Sequence, residues 1–84
     1  MIRTLIVDDD PAVRRLHARY LQELEGFTLV GTVGSGEAAA RLAANTDVDL
    51  VLLDMRLPDF SGIEVLHRIR DERGAAVDVF VISS

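Results

Sequence analysis

Residues 50–53 are four consecutive apolar side chains, LVLL, closed by Asp54, and this lack of polar alternation is the tightest constraint on the fold. A strand sends alternate side chains to opposite faces, so one that is apolar on both faces must be covered on both. That describes a parallel sheet lined by helices, not an antiparallel sheet with one wet face. Three further runs suit strands, at residues 3–8, 27–33 and 77–83. Between them the apolar period changes. In DPAVRRLHARYLQELEGF, Val13, Leu16, Tyr20, Leu21 and Leu24 fall at three- and four-residue steps, as one stripe of a helix. Asp10 stands in the N-cap position with Pro11 as the first helical residue, and Gly26 suits the position just past the end. GSGEAAARLAANTD predicts a short alanine-rich helix capped by Ser35. Ser61 and Glu64 have the capping-box spacing that opens a third helix bearing Ile63, Leu66 and Ile69. The resulting βαβαβαβ order, with right-handed crossovers, gives a doubly wound parallel α/β sheet.

At 84 residues the chain is one small domain. Hydrophobic residues make up 49% and aromatic ones only 5%, which fits an aliphatic, sheet-centred core. The net charge of -5 offers no basic footprint, so neither nucleic acid nor an anionic membrane is an expected partner. With no cysteine there is no disulfide frame, thiolate nucleophile or zinc cluster. No signal-peptide pattern opens the chain and no apolar run reaches the length of a membrane span, so a cytoplasmic location is expected. All nine basic residues are arginine; lysine is absent.

The stretch LIVDDDP then stands out, because a buried strand runs directly into Asp8, Asp9 and Asp10. In doubly wound sheets ligands gather outside the carboxyl ends of the strands. Asp8 and Asp9 lie at that end of the first strand, Asp54 at that of the third and Ser83 at that of the fourth. If the first and third strands are neighbours, three carboxylates share one pocket. At about 5 Å and an effective dielectric near 20, each pair repels by roughly 3 kcal/mol, so a proton or a cation must be held there. Oxygen-only ligands favour a hard ion, and a few carboxylates plus waters describe Mg²⁺.

These residues resemble the receiver domains of bacterial two-component response regulators. The likeness is carried by VDDDP with its acidic pair, by LVLLDMRLPDFSG with Asp54 followed by Pro58 and Gly62, and by Ser83. It runs in order over the whole chain, and LHARYLQELEGF is further similar to regulators of the citrate and malate sensing group. The resemblance implies a flavodoxin-like sheet of strand order 2-1-3-4, incomplete after the fourth strand. It implies that Asp54 accepts a phosphoryl group from a phosphohistidine on a sensor histidine kinase, so the domain takes phosphate by self-catalysed transfer and is not a turnover enzyme. Asp9 would bind Mg²⁺ directly, Asp8 would bind it or orient its waters, and Asp54 and the backbone carbonyl of Arg56 would complete the protein ligands. The Ser83 hydroxyl would hydrogen-bond the attached phosphate and draw its loop inward.

The departures from that family are equally specific. Receivers continue through another helix, a fifth strand whose lysine pairs with the phosphate, and a last helix. Residues 1–84 hold neither that lysine nor an effector domain, so they are expected to form a partial receiver domain. Such a segment could hold metal and acceptor, but it lacks the counter-charge that a group of roughly two negative charges requires, which weakens transfer and switching. Its fourth strand, VFVIS, would be an open apolar edge, and self-association by strand pairing or exchange is expected.

Competing readings attach to the same residues. Asp10 suits a helix cap better than a metal ligand. His17 and His67 read as surface residues of helices. Gly34 and Gly36 in GSG read as a turn, because the P-loop lysine is missing. Asp47 and Asp49, at the far end of the third strand, read as solvated charges. LIVDDDPAV also fits a haloacid-dehalogenase-like phosphohydrolase, with Asp8 as nucleophile and Asp10 as general acid, but that chemistry wants a downstream lysine and a further acidic pair. A receiver-like module that takes no phosphate and acts by protein contacts is the third possibility.

Overall fold

The structure is a computed structural model that describes residues 1–54, 57, 59, 62–73 and 78–82. Its elements run β1 (Ile2–Val7), α1 (Pro11–Gln22), β2 (Phe27–Val33), α2 (Gly36–Asn45), β3 (Leu50–Asp54), α3 (Gly62–Arg73) and β4 (Asp78–Ile82). All strand pairs are parallel and the sheet order is β2-β1-β3-β4. This is the doubly wound arrangement expected from the sequence, with β1 and β3 as neighbours.

Register decides which side chains share a face. Leu5 pairs with Val51 and Val7 with Leu53, so these four point the same way and form one cluster with Ala39 and Ala43 of α2 and Val65 and Ile69 of α3. The small alanines let α2 lie close to the sheet. Thr4 and Ile6, which alternate with them, point to the other face and are also fully buried. α1 packs on that side, along β1 and β2.

The two predicted N-caps on described residues form. Asp10 accepts a hydrogen bond from the Ala12 N–H at 2.9 Å, and Ser35 accepts one from the Ala38 N–H at 3.2 Å. Ser61 lies outside the described residues. The far end of α1 differs from expectation. The helix stops at Gln22 with Glu23 as its C-cap, and the Glu23 and Leu24 N–H groups bond back to Tyr20 and Leu21 carbonyls. Gly26 serves the turn into β2 instead: its φ of +87° is a conformation that a side chain disfavours, and its carbonyl accepts from the Ile2 N–H at 2.7 Å.

The apolar stripe of α1 also divides. Positions 13, 17 and 21 form one row, with Val13 and His17 half-buried and Leu21 buried. Leu16, Tyr20 and Leu24 form the adjacent row and are 47%, 60% and 54% exposed. The reason is geometric: α1 rests on β1 and β2, so a single i, i+4 row meets the sheet. His17 is therefore not a plain surface residue. Its Nδ1 is buried and makes no hydrogen bond among the described residues. His67 is exposed, as expected.

Candidate functional site

Parallel pairing of Val7 with Leu53 brings the carboxyl ends of β1 and β3 side by side. The chain leaves the sheet just after Val7, which frees Asp8 and Asp9 from strand alternation and lets both turn toward Asp54. One carboxylate oxygen from each of Asp8, Asp9 and Asp54 lies within 4.8 Å of the others. Asp8 and Asp54 are only 7% and 4% exposed, while Asp9 is open to solvent. Residues separated by more than forty positions thus converge on one rim.

Asp8 is held by three hydrogen bonds. Its N–H donates to the Val33 carbonyl at 3.1 Å, its carbonyl accepts from Arg14 Nη1 at 2.7 Å, and its Oδ1 accepts from the Asp10 N–H at 3.0 Å. Asp10, by contrast, turns its carboxylate back onto α1 as a cap and is no member of the acidic group. At this spacing each carboxylate pair repels by roughly 3 kcal/mol at an effective dielectric near 20. Three carboxylates, with no histidine or cysteine in the group among the described residues, fit a hard divalent cation, which relieves the repulsion.

The loop after β3 is tied to α2 by a contact that sequence reasoning did not anticipate. Asp59 accepts from the Gly36 N–H at 2.8 Å and the Glu37 N–H at 2.9 Å. With Ser35 bonded to Ala38, the first three N–H groups of α2 are satisfied, and the negative charge lies at the positive end of the helix. Gly34 and Gly36 belong to this turn and helix start, as expected. The clue in the sequence was an acidic residue directly after Pro58, but its partners are more than twenty positions away.

Asp47 and Asp49 are more than solvated charges. The Asp49 carboxylate accepts from the Arg3 N–H, Nε and Nη2, and Asp47 accepts from Arg3 Nη1 at 3.3 Å. The Arg3 hydrogen bonds hold the Asp49 carboxyl down at about 2. Arg56 and Ser83, implied as site residues by family resemblance, lie outside the described residues. No helix among the described residues is long and apolar enough to cross a membrane.

Comparison with known proteins agrees with this geometry. Residues 4–84 match the response regulator receiver domain family. The chain is 43% identical over 84 residues to the transcriptional regulatory protein MalR of Bacillus subtilis, covering 100% of this chain and 35% of that protein. It is 34% identical over 83 residues to the probable C4-dicarboxylate response regulator DctR of Halalkalibacterium halodurans, covering 99% of this chain and 35% of the relative. The chain therefore spans about a third of the length of these curated relatives. Among solved structures, the MaeR response regulator bound to beryllium trifluoride superposes with a TM-score of 0.89 at 37% identity, over 100% of this chain and 68% of that one. The Thermotoga maritima response regulator TrrA in complex with Mg²⁺-BeF gives a TM-score of 0.87 at 36% identity, over 99% and 70% of the two chains. TrrA in complex with the histidine kinase ThkA gives 0.86 at 34% identity, over 100% and 70%. A parallel β2-β1-β3-β4 sheet with three carboxylates gathered at its rim, matched over nearly its whole length, belongs to the response regulator receiver domain family of two-component systems.

Proposed function

We propose that Asp54 is the phosphoryl acceptor and that Asp8, Asp9 and Asp54 hold Mg²⁺. The observation that carries this reading is the convergence of the three carboxylates within 4.8 Å at the carboxyl ends of β1 and β3. A carboxylate oxygen of Asp54 attacks the phosphorus of a phosphohistidine; the P–O bond forms, the P–N bond breaks, and the imidazole leaves. Asp54 is a weak nucleophile, so the chain's contribution is orientation. β3 fixes Asp54 in the sheet, and the bonds to the Asp8 N–H, carbonyl and Oδ1 hold its carboxylate beside it. Mg²⁺ held by Asp8, Asp9 and Asp54 would supply positive charge to offset that of the transferring group. The Arg56 carbonyl and the Ser83 hydroxyl complete the proposed set, as a further ligand and as the phosphate contact.

The donor is a sensor histidine kinase, in keeping with the TrrA complex, and the exchange takes place in the cytoplasm. The domain is modified once per signal and is not a turnover enzyme. The likeness to MalR and DctR supports transcription control by the whole regulator, with a signal of the C4-dicarboxylate class. For residues 1–84 alone, β4 at the sheet edge supports strand-mediated self-association; a clean monomer by light scattering at high concentration counts against it.

Acetyl phosphate with Mg²⁺, followed by intact mass measurement, tests the assignment. One added phosphoryl that disappears in Asp54→Ala is expected. Steady phosphate release that depends on Asp8 would favour the phosphohydrolase, a reading already weakened by the diversion of Asp10 to a cap. No mass change in the wild-type chain would favour a module acting by protein contacts alone.

A further inference from the structure

We propose that Arg14 is a positioning residue for the acidic site, acting through the backbone of Asp8, and that Gly34 is the residue that makes room for it. This rests on the reading of Asp8, Asp9 and Asp54 as a Mg²⁺ site. Arg14 projects from the first turn of α1, and its Nη1 donates to the Asp8 carbonyl at 2.7 Å, the short distance of a charge-assisted bond. The bond spans the β1–α1 connection, the segment that must bring two adjacent aspartates to one rim. Without it the Asp8 carbonyl loses its charged donor, and Asp8 keeps the Val33 and Asp10 contacts.

Gly34 supplies an independent observation. A Cβ at this position would stand 2.8 Å from Arg14 Nη1, 3.6 Å from its Cζ and 3.8 Å from the Asp8 carbonyl oxygen. No side-chain atom fits there while the guanidinium keeps its place. Because the obstructed group is the tip of a flexible side chain, alanine at 34 would displace Arg14 from Asp8 and leave the fold intact. The end of β2, the start of α1 and the acidic turn thus meet at one guanidinium.

Two effects of Arg14 on a nearby cation have opposite signs, which makes the role measurable. As a positive charge it repels Mg²⁺, so removing it for charge alone would tighten binding. As the anchor of a metal-ligating residue it holds Asp8 ready, and loss of supporting contacts of this kind lowers metal affinity by about tenfold or more. Positioning therefore predicts weaker binding in Arg14→Ala, against the electrostatic trend.

Mg²⁺ titration by calorimetry, on the wild-type chain and on Arg14→Ala, Arg14→Lys, Gly34→Ala and the Arg14→Ala/Gly34→Ala double variant, tests this, with melting in EDTA as the fold control. Expected are about tenfold weaker Mg²⁺ binding in Arg14→Ala and Gly34→Ala, recovery of most of that loss in Arg14→Lys, and no further loss in the double variant, because both changes remove one contact. Unchanged or tighter binding in Arg14→Ala overturns the proposal, as does an additive double variant. A wild-type chain that binds no Mg²⁺ overturns the site reading itself, and this proposal with it.

Discussion

Arg3 and Asp49 hold each other through both backbone and side chain. The Arg3 N–H and Nε donate to Asp49 Oδ2 at 2.9 and 3.0 Å, Nη2 donates to Oδ1 at 3.2 Å, and the Asp49 N–H returns a bond to the Arg3 carbonyl at 2.8 Å. The pair joins β1 to the residue just before β3, at the end of the sheet opposite the acidic site. Its ionisation yields a pH prediction. The Arg3 side-chain hydrogen bond is the first cause that lowers the Asp49 carboxyl from 3.8 to about 2. A carboxyl lowered on folding contributes stability that is complete above the higher of these values and fades as pH falls through the lower one. Urea denaturation of the wild-type chain should therefore lose an increment between about pH 4 and pH 2 that Asp49→Asn lacks, with the two curves converging in strong acid. Parallel curves across that window would refute it.

Mutual repulsion in the acidic site predicts an inverted response to metal. In EDTA, Asp54→Asn should melt several degrees higher than the wild-type chain, because removing one of three charges relieves two pairings of roughly 3 kcal/mol each before solvent screening. Mg²⁺ should stabilise the wild-type chain and have little effect on the variant. Thermal melts with and without Mg²⁺ check both halves, and equal Mg²⁺ shifts in the two proteins would count against a shared cation.

Asp59 predicts a stability effect that depends on how many acceptor oxygens survive. Asp59→Ala strips the cap from Gly36 and Glu37 and should cost about 1 kcal/mol in urea denaturation. Asp59→Asn keeps one acceptor and should cost less. A neutral Asp59→Ala would show that Ser35 alone suffices to start α2.

The two rows of α1 predict unequal costs for one chemical change. Leu21→Ala, on the row facing the sheet, should destabilise the chain by roughly 2–4 kcal/mol. Leu16→Ala, on the outward row, should stay within about 0.5 kcal/mol. Equal costs would mean that Leu16 is also packed.

What the sequence made legible was whatever local pattern or topology fixes. The uninterrupted LVLL run required cover on both faces; β3 has it fully at Val51 and Leu53, while on the other face Leu50 is buried and Leu52 half-buried. Asp10 and Ser35 showed themselves as caps because a cap acts within three residues. The meeting of Asp8 and Asp9 with Asp54 followed once the strand order implied by the family resemblance put β1 beside β3. Features that depend on a distant partner stayed hidden. Nothing near Asp59 announces that its partners are Gly36 and Glu37, and nothing near Asp49 announces Arg3. The split of the α1 stripe was hidden for another reason: rows 13-17-21 and 16-20-24 both carry apolar residues, and the resting angle of the helix on β1 and β2 decides between them. Arg14 reads as one polar helix residue among several until the Asp8 carbonyl is placed beside it.

The pairing of β1 with β3 has one more implication. Because Leu5 lies opposite Val51 and Val7 opposite Leu53, sliding one strand by a single residue would exchange the side chains that meet α1 for those that meet α2 and α3, spoil the packing on both faces, and carry Asp8 out of step with Asp54. Chelation is therefore indexed to hydrophobic alignment: a misaligned or half-assembled chain has the same aspartates but no cage, so competence to take up the ion should arise at the moment the core locks, and not before.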